Sequence, residues 1–174
     1  MRNTTKSKLN EITLQDAINF LNNLVPNPSS GLPQDLFLYI SSTTPIVNVD
    51  LLIKDENNRT LLSWREDSYA GAGWHIPGGI VRFKETLEDR ILKVMESEIG
   101  HIFEYDDVPL TINQIICRHN SRGHFISILY KCYLSSTFAP QNKGSSVNTR
   151  GYLKWHSSCP EDLIKVHEIY KKYI

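Results

Sequence analysis

The chain has 174 residues, enough for one compact domain and short of two ordinary ones. Folding at that length buries roughly 70% of the unfolded surface, so no disulfide or metal staple is required. Lys plus Arg and Asp plus Glu each number 19. The formal charge of zero argues against a broad nucleic-acid surface, a basic membrane anchor or an acidic tail. Cys117, Cys132 and Cys159 cannot all pair and form no Cys-x-x-Cys clip, so they are read as reduced thiols of a cytoplasmic protein. Met1 to Lys6 lead into no apolar signal core, and no stretch approaches the ~20 apolar residues of a spanning helix. Neither nucleic acid nor membrane is an expected partner.

In chain order, Thr13-Leu14-Gln15-Asp16 has the form of a capping box. Leu14, Ala17, Ile18, Leu21 and Val25 then recur at helical spacing, which predicts an amphipathic helix over 14–24. Pro26 to Gly31 is a linker, and Pro33 opens a second short helix with Leu36, Phe37 and Ile40 inward. From Pro45 the period changes to two, predicting a buried strand through Ile53, a turn over 55–59 and a return strand over 60–65. Residues 71–84 are read as a Gly-rich loop around Trp74-His75-Ile76-Pro77. Thr86-x-x-Asp89 caps a helix with Leu87, Ile91, Val94, Met95 and Ile99 on its inner side. Strands near 110–118 and 124–134 follow, then a polar loop over 138–150 leading to Tyr152-Leu153-Lys154-Trp155. A final helix opens at Pro160-Glu161-Asp162. Mixed strands with a few helices predict an α+β class, a sandwich with a central sheet.

The stretch that carries chemistry is Gly78-Gly79-Ile80-Val81-Arg82-Phe83-Lys84-Glu85 and the helix ending Glu98-Ile99-Gly100. Glycines let backbone carbonyls reach an ion, and helix carboxylates three or four residues apart share one face. Gly79, Glu85, Lys93, Glu98 and Gly100 fall on the frame of the Nudix box, which this segment resembles. The box has Arg-Glu where this chain has Lys93-Val94, and Glu-Glu where it has Ser97-Glu98. Lys93 keeps a charge able to pair with Glu85, while Val94 and Ser97 remove two of three helix carboxylates. Glu96 should point away from the Glu98 face. What remains can hold one Mg²⁺ (or Mn²⁺) rather than a cluster.

The run Leu32-x-Gln34-Asp35-x-Phe37, Thr44-Pro45-Ile46-Val47-x-Val49-Asp50, Arg65, Pro77-Gly78-Gly79, Lys84-Glu85-Thr86-Leu87-Glu88, Met95 and Glu98-x-Gly100 is similar to the GDP-mannose mannosyl hydrolase branch of Nudix enzymes. That branch lacks the same two glutamates. The resemblance implies a Nudix-type α/β/α sandwich with a mixed sheet and a loop–helix–loop metal and diphosphate site. It also implies a homodimer and water attack at the sugar's anomeric carbon, releasing nucleoside diphosphate and sugar. It puts metal ligation on the Gly78 carbonyl and Glu98, leaving-group stabilisation on Arg65, and substrate contacts on Asp50, Arg65 and His119, with Arg65 and His119 as the catalytic candidates. Asp50 also draws attention by itself, since it interrupts an apolar strand. The branch carries a Gln-His pair before its Tyr-x-Trp segment, the His serving as general base. Here the loop reads Val147-Asn148-Thr149-Arg150-Gly151-Tyr152, with Asn148 or Thr149 left to supply a metal oxygen and no histidine. A second arginine after the Gly-Gly pair is Ile80 here, with Arg82 nearby.

The expected organisation is therefore an N-terminal extension over 1–31 and a Nudix domain over 32–174. Three functions fit the residues: a metal-dependent hydrolase of a nucleotide-diphosphate sugar, a pyrophosphohydrolase acting at phosphorus, and a nucleotide-sugar-binding module without turnover.

Overall fold

Two threonines start helices in the way their spacing requires. Thr13 Oγ1 accepts from Asp16 N–H, and Thr86 Oγ1 from Asp89 N–H, each Asp returning a bond to the threonine N–H. The computed structural model describes residues 12–118, 122–142 and 146–174. Helices α1 (Leu14–Leu24) and α2 (Gln34–Thr43) precede strand β1 (Ile46–Lys54). β2 (Thr60–Asp67), β3 (Gly71–His75) and β4 (Gly78–Ile80) lead to α3 (Leu87–Val94), which continues as a π turn, Met95–Ile99. β5 (Glu104–Tyr105), β6 (Thr111–Ile116), β7 (His124–Tyr133) and β8 (Leu153–His156) follow, and a 3₁₀ segment, Lys165–Tyr170, lies near the end.

The strands form one mixed sheet in the order β3-β2-β1-β7-β5, with β4 against β1, β6 against β7 and β8 against β2. β1 and β7 are parallel from Ile46↔Phe125 to Lys54↔Tyr133, and the remaining named pairings are antiparallel. Alternation along β1 divides the core. Val49, Leu51 and Ile53 pack with Ile91, Val94, Met95 and Ile99 of the α3 region. Leu52 joins Leu62, Trp64, Trp74, Ile76, Leu129 and Tyr170 on the opposite face. Each fully buried aliphatic or aromatic side chain contributes about 1.5–3 kcal/mol of burial free energy. Helix on one face and the C-terminal segment on the other give the expected sandwich.

Three local expectations are corrected. Residues 71–84 are not all loop, because Gly71–His75 pairs with β2 and Gly78–Ile80 with β1. Glycine at Gly73 lets the C-terminal segment approach β3, since a Cβ there would lie 2.4 Å from the Asp162 carbonyl. The final helix is only the 3₁₀ segment, since Trp74 N–H donates to Asp162 O and Ile164 N–H to Trp74 O. The backbone groups that a helix start would use are spent on β3. The helix after Thr86 changes to a π turn at Met95, closed by Gly100 N–H to Met95 O at 2.9 Å with Gly100 left-handed. α1 forms as expected but buries none of its residues. The three cysteines carry free thiols. Among the described residues, no helix is long and apolar enough to cross a membrane.

Candidate active site

β1 and β4 set the geometry. Leu51 N–H donates to Pro77 O and Val81 N–H to Val47 O, so the intervening Asp50↔Gly78 pair is the non-hydrogen-bonded kind. The N–H and C=O of Gly78 therefore face away from β1. A Cβ at Gly78 would stand 2.3 Å from Asp50 Oδ1 and 2.7 Å from Val49 O, which is why glycine is required there. On the other side, the Glu98 carboxyl takes a hydrogen bond from the Gly78 backbone. Two carboxyl groups thus flank one glycine.

Glu98 is pushed up to about 7, first by burial, opposed by Arg65 and reinforced by Asp50; the Gly78 bond and Arg150 pull it back. Asp50 is buried and its carboxyl is likewise raised by desolvation, against donation from Ser127, Tyr170 and Asn48. Tyr170 OH reaches Asp50 Oδ2 at 2.6 Å and Asn48 Nδ2 reaches Oδ1 at 2.9 Å; Ser127 Oγ also donates to Oδ2. Asp50, expected to touch substrate, is held in a closed network under Tyr170.

The helix supplies fewer oxygens than its register allows, for a visible reason. Val94 is 2% exposed and part of the α3-side core. Its Cγ2 would be 2.8 Å from a Cβ at Gly79, so Gly79 is the space into which the helix packs. Ser97 Oγ is turned back on Lys93 O at 2.6 Å. Lys93 Nζ meets Glu85 Oε1 at 2.7 Å, as expected. Arg90, not singled out in the sequence, places Nε and Nη2 on Glu85 Oε2 at 2.8 and 2.6 Å. Burial raises Glu85, but bonds from Lys93, Arg82 N–H and Arg90 outweigh it and hold the carboxyl at about 2. Glu85 is thus a brace for the helix. Arg82 turns from the site, its Nη1 on Ser30 O at 2.7 Å.

Arg65 lies close enough to act on Glu98, and its Nε donates to Asp67 Oδ2. Burial raises Asp67, but the N–H groups of Ala70 and Tyr69 together with Arg65 hold it at about 2. Arg150 comes to the same locality because Trp64 N–H bonds Tyr152 O, and Gly151 N–H bonds Trp64 O, both at 2.8 Å. The sequence pointed to this loop for a metal oxygen; its arginine is what acts on Glu98. Asn148 sits exposed in the same loop. His119 lies outside the described residues. His124 pairs with Gln114, Nε2 to Nε2 at 3.0 Å.

Sequence reasoning missed His75, His167 and Tyr170. His167 Nδ1 accepts from Ile76 N–H at 3.1 Å, and His75 Nδ1 contacts Ile76 O at 2.9 Å. Burial depresses both to about 3, with His167 and Arg65 acting further on His75, and Arg65 on His167. Both are neutral at ordinary pH. The only available signal was the i, i+3 spacing of His167 and Tyr170, which any amphipathic helix shares.

Among the described residues, no group of three His, Cys, Asp or Glu side chains could hold a metal ion. The Gly78 carbonyl and the Glu98 carboxylate are oxygen donors of the kind a hard divalent cation takes.

The comparisons agree with this geometry at the level of fold. No protein-family model matches the chain. The low-salt glycan biosynthesis protein Agl8 of Haloferax volcanii is 37% identical over 78 residues, 45% of this chain and 49% of that protein, so about half of its length is matched. A MutT Nudix hydrolase from Burkholderia pseudomallei superposes with a TM-score of 0.61 at 21% identity, over 75% of this chain and 98% of that one. A MutT protein from Methanosarcina mazei Go1 gives 0.55 at 20% identity, over 75% and 91%. A possible asymmetric diadenosine tetraphosphate hydrolase from Jonesia denitrificans gives 0.57 at 18%, over 75% and 92%. The chain has the Nudix hydrolase fold, an α/β/α sandwich around a mixed sheet.

Proposed function

We propose that this protein hydrolyses a nucleotide-diphosphate sugar, GDP-mannose-like, with one Mg²⁺ or Mn²⁺, by water attack at the anomeric carbon. The observation that carries the reading is the single helix carboxylate beside Gly78: Glu98 faces the glycine while Val94 is core and Ser97 is bonded to its own helix. A bound cation would neutralise charge on the departing diphosphate, and one ion suffices for that. In this reading Glu98 and the Gly78 carbonyl hold the ion, with Asn148 as a further oxygen. Arg65 and Arg150 add positive charge on the same side, where a diphosphate gains negative charge as it leaves. The water oxygen bonds the anomeric carbon, the glycosidic C–O electron pair departs with the nucleoside diphosphate, and the water's proton passes to bulk solvent. His119 is proposed as the polar group on the sugar, and Asp50 as the wall beneath Gly78. The name of the Haloferax relative, a glycan biosynthesis protein, is in keeping with a sugar-linked substrate. α1 exposes Leu14, Ile18 and Leu21, an apolar stripe suited to the homodimer that the resemblance implies.

Incubation with GDP-mannose and Mg²⁺ in ¹⁸O water tests the reaction. Label in free mannose with GDP as co-product is the expected result. Label in phosphate, or formation of GMP and mannose 1-phosphate, would refute it in favour of attack at phosphorus. The second reading, a nucleotide-sugar-binding module, is favoured by the engagement of His75, His167 and His124 with other protein groups. Affinity without product would establish it.

A further inference from the structure

The C-terminal segment runs beside the residues that deliver Gly78. Trp74 and Leu163 form a parallel bridge, with Trp74 N–H on Asp162 O and Ile164 N–H on Trp74 O, both 2.9 Å. Two residues along, Ile76 N–H donates to His167 Nδ1 at 3.1 Å. Three residues beyond His167, the fully buried Tyr170 places its OH on Asp50 Oδ2 at 2.6 Å and on Ser127 Oγ. Asp50 in turn lies against the α-carbon of Gly78, where no Cβ would fit. The run 74–78 is thus held from one side by β1, through Leu51 N–H on Pro77 O, and from the other by 162–170.

This arrangement exceeds what packing needs. Tyr170 fills its place with a ring among Leu52, Trp74, Ile76 and Leu129, which a phenylalanine would do equally well. Its hydroxyl serves the Asp50–Ser127 pair and Asn113. His167 is spent on a single backbone N–H of the strand that ends at the site. A buried histidine with its acceptor nitrogen on a backbone amide fixes that peptide's position more tightly than an apolar contact, because hydrogen bonds are directional and packing is not.

We propose that His167 and Tyr170 are positioning residues: the C-terminal segment sets where the Gly78 peptide and, through it, the Glu98 carboxylate stand. The metal half of the inference rests on the reading that Gly78 and Glu98 hold the divalent ion; the positional half does not. Within the loop–helix segment the Gly78 backbone is held by Glu98, and its N–H and C=O draw nothing from β1, so the C-terminal segment adds a constraint on the 74–78 run that neither of these supplies.

Tyr170→Phe keeps the ring and removes the hydroxyl. His167→Leu removes the acceptor for Ile76 N–H, and His167→Gln restores one. Mn²⁺ affinity by electron paramagnetic resonance and amide exchange at Gly78 and Leu61 are measured on the full chain. The expected result for Tyr170→Phe and His167→Leu is Mn²⁺ binding weakened fivefold or more and Gly78 exchange quickened tenfold or more. Leu61 exchange stays within twofold, and His167→Gln recovers at least half of the loss. Unchanged Gly78 exchange in both variants overturns the proposal, as does an equal rise at Leu61, which marks a merely structural role. If wild type itself binds no Mn²⁺, the metal reading fails separately, and Gly78 exchange alone decides the positional claim. Should Tyr170→Phe not fold, the His167→Leu and His167→Gln pair decides it.

Discussion

Replacing Glu98 by Gln removes a titrating group whose folded-state behaviour is unusual for a glutamate. Burial carries its carboxyl from the ordinary 4.5 to about 7, so the folded protein retains a proton that the unfolded chain releases. Between those two values the folded state binds more protons, and stability falls as pH rises, the loss being complete above about 7. A tenfold change in proton affinity corresponds to about 1.4 kcal/mol, which makes the full effect about 3 kcal/mol. The amide of the Glu98→Gln variant has no proton to lose over this range. In metal-free buffer, wild type should therefore lose about 3 kcal/mol relative to Glu98→Gln between pH 4.5 and pH 8. For a chain of this size that is a relative change in Tm of about 6–12 °C. Thermal unfolding of both proteins in EDTA across that range provides the assay. Parallel Tm curves would mean that the carboxyl is not desolvated beside Gly78, and the account of the site would be wrong. The same proton competes with a cation, so Mn²⁺ affinity of wild type should rise with pH up to about 7 and level off above it.

Gly78→Ala should cost roughly 2–3 kcal/mol in urea unfolding, because a Cβ there meets Asp50 Oδ1 at 2.3 Å and Val49 O at 2.7 Å. Wild-type stability in this variant would refute the close approach of β1 and β4. Val94→Glu restores the carboxylate of the ordinary box but places it in the core at 2% exposure, so it should cost at least about 3 kcal/mol. Its Mn²⁺ stoichiometry should not increase. Arg65→Ala should lower kcat/KM on GDP-mannose by about 10²-fold, the scale of one lost charge-stabilising donor. Stability should change by less than about 1 kcal/mol, since Asp67 keeps the N–H groups of Tyr69 and Ala70.

The capping boxes at Thr13 and Thr86, the period-two run of β1 and the Gly79-to-Gly100 frame were legible because each is encoded within a few residues. Hydrophobic alternation assigns faces of β1 without knowledge of its neighbours, and the loss of carboxylates at Val94 and Ser97 is a matter of residue type alone. The Lys93–Glu85 pair was readable from the frame, whereas Arg90's larger share in it was not. Spacing states which residues face the same way, not which of two cations arrives with the better geometry. The strands hidden in 71–84 escaped because glycine has no pattern; their pairing depends on partners at Ser63, Asp50 and Asp162, far off in sequence.

Sequence alone thus determined the helices after Thr13, Pro33 and Thr86, the strands β1 and β2, the Gly79-to-Gly100 frame and the poverty of its carboxylates, since those depend on local period and on side-chain chemistry. The tertiary structure decided that Asp50 is closed off beneath Tyr170 while remaining against Gly78. It also brought Arg150 into the field of Glu98 and turned the expected final helix into a strap on the 74–78 run. Each of these joins residues tens of positions apart through a hydrogen bond or a shared low-dielectric space. No periodicity encodes such a meeting; only the folded packing brings the groups within reach.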